Sequence, residues 1–145
     1  SQFTSYMNKK TNIKNKLLLI QLNEINFDII KLYLENKKLK NFKKIIYSKK
    51  LKYTSSENEY HLLEPWIQWT SVHYGLTAKE HGIYRLGDIN NINVESIYER
   101  LEMNGFNVGA ISPMNISNKL KHPSYFIPDP WTKTNPDNSV SSYCP

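Results

Sequence analysis

Apolar residues fall in short runs along the chain, separated by text rich in Asn and Lys. The run LLLIQL at 17–22 is broken only by Gln21 and predicts a strand buried on both faces, as in a parallel sheet. Asn23 and Glu24 then fall at its carboxyl end. Asn26 is placed to N-cap a helix over 27–36, with Asp28 in the first turn and Lys37-Lys38 beyond the last, matching the helix dipole at both ends. Leu39, Phe42, Ile45 and Ile46 are spaced i, i+3, i+6, i+7 and predict a short second helix. Residues 51–59 read as a strand or an extended connection. Pro65 suits the first turn of a helix running to about Tyr74, and Gly75 suits its C-terminal cap. Asn93 is the expected cap of a helix over 94–103, with Val94, Ile97, Tyr98 and Leu101 as its apolar stripe. The run FNVGAI at 106–111 predicts a second buried strand, closed by Ser112-Pro113. Five of the seven prolines lie from Pro123 onward, so that stretch reads as extended and loop-like.

This order of strand, helices, extended segment, helices and strand predicts an α/β layered fold with a mostly parallel sheet flanked by helices. Two evident strands are few for such a sheet. Further strands are either hidden in polar text, or the chain is the first part of a larger fold. The expected divisions are a polar segment at 1–16, an α/β domain at 17–122 and a Pro-rich extended tail at 123–145.

Composition narrows the function. No run reaches the roughly 20 apolar residues of a membrane helix, and the opening SQFTSYMNKK has no apolar core of a secretory signal. The single Cys144 excludes an internal disulfide framework and a Cys-rich metal site, and a reducing, cytoplasmic setting is the expectation. Residues 1–52 carry 13 Lys against three acidic residues, a net +10, while the remainder carries −4. Such a block attracts phosphates or anionic membrane surfaces. Yet 17 of the 19 basic residues are Lys, and base readout favours Arg, so nucleic acid is not the expected partner.

Candidate chemistry lies in two places. Ligands of open α/β sheets bind beyond the carboxyl ends of strands, where Asn23, Glu24 and Ser112 fall. There a carboxylate and an amide can hold a divalent cation or a substrate hydroxyl, or Asn23 and Asn26 can simply make turn and cap bonds. The second place is EPWIQWTSVHYGLTAKEHGIYRLGD at 64–88. Its helix start, Glu64-Pro65-Trp66, presents the positive end of the dipole to an anion. Trp66, Thr70 and His73 share one face, and Trp69 and Val72 another. Hydroxyls inside a helix, as at Thr70 and Ser71, commonly bond back to a carbonyl. His81, at a turn before Gly82, is open to a structural or an acid-base role. The chain contains no HExxH, P-loop, GxGxxG or GxSxG.

Taken together, LLLIQLNEINFDII, LKNFKKII, WTSVHYGLTAKEHGI and SIYERLEMNGFNVGAIS resemble, in order and spacing, the N-terminal part of the alkaline phosphatase superfamily. The likeness is to its type I phosphodiesterase/nucleotide pyrophosphatase and sulfatase-like branches. It covers roughly residues 17–112. It implies a metal-dependent hydrolase or transferase of phosphate or sulfate esters, with divalent cations, zinc foremost, clamping an in-line displacement. The expected substrate is a small phosphate or sulfate ester, on a carbohydrate or nucleotide carrier. By that resemblance the first-strand metal ligand falls on Asn23, with Glu24 beside it. The nucleophile position falls near Pro65 or Trp66, where no hydroxyl stands. The resemblance therefore assigns Asn23 and Glu24 to metal, Glu64 and Thr70 to reactive roles, and Trp66, Gln68 and His81 to substrate. It also implies a fragment that does not turn over alone, because ligands of the family's C-terminal half have no counterpart here. The alternative is a non-catalytic glycan- or anion-binding module using the same cleft, with Trp66 and Trp69 stacking on a sugar.

Overall fold

A computed structural model describes residues 16–36 and 39–132 of the chain. They form a mixed α/β protein with five α-helices and a small parallel two-stranded sheet. The helices are α1 (Phe27–Glu35), α2 (Lys40–Ile46), α3 (Pro65–Tyr74), α4 (Ala78–His81) and α5 (Ile97–Met103); the strands are β1 (Gly109–Ile111) and β2 (Tyr125–Ile127). Single 3-10 turns occupy Tyr60–Leu62 and Asp88–Asn91. The described residues divide into two compact units, Ile20–Ser56 and residues 57–132 with 16–19.

In the first unit, α1 starts where its sequence indicates. The Asn26 side chain accepts from the N–H groups of Asp28 and Ile29, satisfying two donors that an open helix end leaves unpaired. Ile30 and Leu34 are its buried positions, and α1 packs on α2. The expected Lys pair at the end of α1 lies outside the described residues.

The second unit holds the core. Tyr74, Ile83, Ile89, Ile92, Val108, Ala110, Ile116, Leu120 and Phe126 pack into one cluster, with Leu76, Tyr98, Leu101 and Phe106 against it. α3 begins at Pro65, whose missing N–H costs nothing in a first turn. It ends at Gly75, which takes the left-handed conformation (φ 67°) and donates to the carbonyl of Ser71. The Thr77–Glu80 capping box then starts α4. α5 starts later than its apolar stripe indicates: Ser96, not Asn93, is the cap, in a capping box with Glu99. A cap with a reciprocal partner three residues on satisfies two donors where Asn93 would satisfy one.

β1 and β2 pair in parallel, Gly109 with Tyr125 and Ile111 with Ile127, and the Ser112 N–H extends the ladder to the Ile127 carbonyl at 2.7 Å. At Gly109 a Cβ would run into the Tyr125 ring across the ladder, so a larger residue there has to displace that half-exposed ring. β2 lies in the Pro-rich stretch expected to be loop-like. Its three residues fit between Pro123 and Pro128, so the prolines bound the strand without removing its ladder donors.

The expected strand at 17–22 is not formed. These residues lie in no ladder, and Leu18 is 82% exposed. Apolar content makes a segment suitable for a doubly buried strand, but burial needs ladder partners and a cover on each face. Among the described residues the sheet consists of β1 and β2 alone.

Candidate functional site

The carboxyl ends of β1 and β2 and the first turn of α3 meet around Asn115. The chain leaving β1 turns through two residues with positive φ, Ser112 (51°) and Asn115 (52°). Asn tolerates that conformation because its short side chain can bond locally. Here the side chain reaches across the fold instead. Asn115 Nδ2 donates to the Trp66 carbonyl at 3.1 Å and to Thr70 Oγ1 at 3.4 Å. Its backbone N–H donates to Asp129 Oδ2. Asp129, just after β2, also accepts from the N–H of Trp131 (2.9 Å) and from the N–H (2.6 Å) and hydroxyl (3.0 Å) of Thr132. Four donors on one buried carboxylate offset the cost of removing it from water. Asn115 Oδ1 is buried and has no hydrogen-bond partner.

Three of the seven residues expected at the site, Thr70, Trp66 and Gln68, are spent on internal bonds of α3 and its neighbours. Thr70 is fully buried, and its hydroxyl donates to the Trp66 carbonyl at 2.7 Å, the back-bond its helical position suggests. Trp66 is half-buried and donates its indole N–H to the Tyr84 carbonyl (3.1 Å). Gln68 Nε2 donates to the Leu62 carbonyl (2.8 Å), tying the 3-10 turn to α3. Glu64 occupies the N-cap position of α3, exposed and making no side-chain cap bond. Asn23 and Glu24 are exposed in a turn of the other unit, Glu24 with φ 55°.

His81 sits 3.0 Å from Ser71 Oγ, a spacing that invites comparison with a nucleophile and its base. The proton is on the wrong nitrogen for that chemistry. The Ile83 N–H donates to His81 Nδ1 at 2.9 Å, so the proton of the neutral ring resides on Nε2, which faces Ser71. Nε2–H is therefore a donor toward the hydroxyl, not an acceptor of its proton. Burial lowers the His81 pKa, against smaller opposing effects of the Glu57 charge and the Ile67 backbone, which favours this neutral form.

Asn115, Asp129 and Thr132 escape the sequence reading of the site. Asp129-Pro-Trp-Thr132 does carry a turn signal, since a short acidic side chain commonly bonds N–H groups two and three residues on. Nothing local signals Asn115, whose partners in α3 are 45 and 49 residues away.

Among the described residues, no three His, Cys, Asp or Glu side chains come together as a metal-ligand set. The two residues assigned to metal by resemblance, an amide and one carboxylate, are by donor chemistry fewer than the three or four ligands zinc takes from protein. They do not by themselves fit that ion. Comparison with protein-family models, with curated proteins and with solved structures finds no match.

Proposed function

We propose that the chain is an alkaline phosphatase-type α/β protein that takes a phosphate or sulfate ester at the carboxyl ends of β1 and β2, beside the start of α3, for hydrolysis or transfer. The observation that supports this is the Asn115 network, which draws both strand ends and the α3 first turn to one place. Strand ends of a parallel sheet are the usual ligand site of α/β folds, and a helix start favours a bound anion. Within this reading Thr70, Asn115 and Asp129 are positioning residues that fix the α3 start. Glu64 carries the proton transfer, its carboxylate accepting a proton from the attacking water or returning one to the leaving oxygen.

The test is turnover of p-nitrophenyl phosphate, bis-p-nitrophenyl phosphate and p-nitrophenyl sulfate by the natural gene product with zinc or magnesium added. At least one ester is expected to turn over, and Glu64→Gln to lower kcat by about 100-fold with KM little changed. No turnover of any ester, with no metal retained on purification, would overturn the reading.

One observation favours a second reading, a non-catalytic anion- or glycan-binding module. The polar groups of Thr70, Gln68 and the Trp66 indole all serve internal bonds, which suits a rigid binding surface. Saturable binding of an ester or glycan, measured by calorimetry without turnover, distinguishes it.

A further inference from the structure

The Ile20–Ser56 unit carries two surface features. The first is charge. Nine lysines and three carboxylates give this segment +6, the net charge of the entire 145-residue chain. Lys40, Lys43 and Lys44 stand exposed on α2, and Lys49, Lys50 and Lys52 follow it. The second is exposed apolar surface. Apart from its buried pair Ile30 and Leu34, α1 carries a separate stripe of Ile29, Leu32 and Tyr33 at i, i+3, i+4, exposed by 54%, 59% and 49%. Ile45 and Tyr47, at the end of α2, are exposed as well.

A unit that carries both exposed lysines and exposed aliphatic and aromatic side chains suits the headgroup region of a membrane. There apolar side chains enter the acyl boundary, and Lys stems lie along it with their charges in the headgroups. Clusters of four to eight Lys or Arg are the usual size of sites for anionic lipid. The charge, being Lys without Arg, is suited to a diffuse anionic surface rather than to bidentate recognition of one group. A nucleic-acid backbone would use the lysines but leave the aliphatic stripe in water. No helix among the described residues is long and apolar enough to cross a membrane, so contact of this kind would be at the surface.

We propose that the Ile20–Ser56 unit docks on an anionic membrane surface, through the lysines of and after α2 and the outward stripe of α1. The experiment is co-sedimentation of the full chain with vesicles of phosphatidylcholine alone or mixed with phosphatidylserine, at low and high salt. Sedimentation is expected with the phosphatidylserine vesicles and not with the neutral ones, and is lost at high salt. Lys43→Ala and Lys44→Ala each weaken it about fivefold. Leu32→Ser weakens it with the circular dichroism spectrum unchanged, and Tyr47→Ser serves the same purpose if Leu32→Ser unfolds. Equal recovery with neutral and anionic vesicles overturns the proposal. So does salt-sensitive binding to DNA without vesicle binding, or a dimer in solution that the same apolar substitutions dissolve without effect on vesicles.

Discussion

His73 is a buried titratable residue of α3. It is 2% exposed, stacked on Trp69 with ring centroids 5.9 Å apart and tilted against Tyr98 at 5.6 Å. Burial lowers its pKa from 6.5 to about 4. The unfolded chain therefore takes up a proton as pH falls through about 6.5, which the folded chain resists until about 4. Its contribution to stability is complete above the unfolded value and is lost progressively as pH drops toward the folded one. The full loss is about 3 kcal/mol, at roughly 1.4 kcal/mol per pH unit. Urea midpoints measured across this range are expected to fall with acidification, and His73→Phe, which keeps the ring stack, to remove most of the slope. His81 shifts in the same direction and leaves a residual slope. An unchanged slope in His73→Phe would reject the assignment. At this scale the sequence is informative where a bond is local. Thr70 reaches a carbonyl four residues back, and Asn26 caps donors two and three residues on. It is silent on Asn115, because a positive φ and partners in α3 are properties of the assembled fold.

Among elements, α3 is legible from its punctuation, Pro65 at one end and Gly75 at the other, each tied to a backbone geometry that few other residues satisfy. The start of α5 is not read from the apolar stripe, because Val94 lies outside the helix and is exposed. Ser96 and Glu99, spaced three apart, carry the signal instead. Both are buried, and Glu99 Oε2 receives the Ser96 N–H at 2.7 Å and the Ser96 hydroxyl. Ser96→Ala removes the cap and one donor from a buried carboxylate, so a loss of about 2 kcal/mol is expected. The Thr77–Glu80 box is exposed, and water replaces the lost donor there, so Thr77→Ala should cost about 0.5–1 kcal/mol. Denaturant titration of both variants tests the difference, and equal losses would mean that burial of the α5 box adds nothing. Strands are harder to read. β2 is three residues long, too short for alternation to show, whereas LLLIQL has the composition of a core strand without a ladder.

For the whole molecule, stability is unequally distributed. The apolar cluster from Tyr74 to Phe126 and the buried network of Thr70, Asn115, Asp129 and Thr132 lie entirely within residues 57–132. Among the described residues of Ile20–Ser56, the buried ones are Ile30 and Leu34. The helices of that unit also run nine and seven residues, below the length at which isolated helices persist in water. Local opening of this unit should therefore require much less free energy than global unfolding. In native-state hydrogen exchange, amides of α1 and α2 are expected to exchange through openings independent of denaturant unfolding. Amides near Val108, Ala110 and Phe126 should exchange only with the whole domain. Anionic vesicles, if the unit docks on them, should slow exchange in α1 and α2 selectively, because binding the ordered form adds its free energy to the local opening cost. Equal protection in α1 and in β1, without vesicles, would show one cooperative unit in place of two.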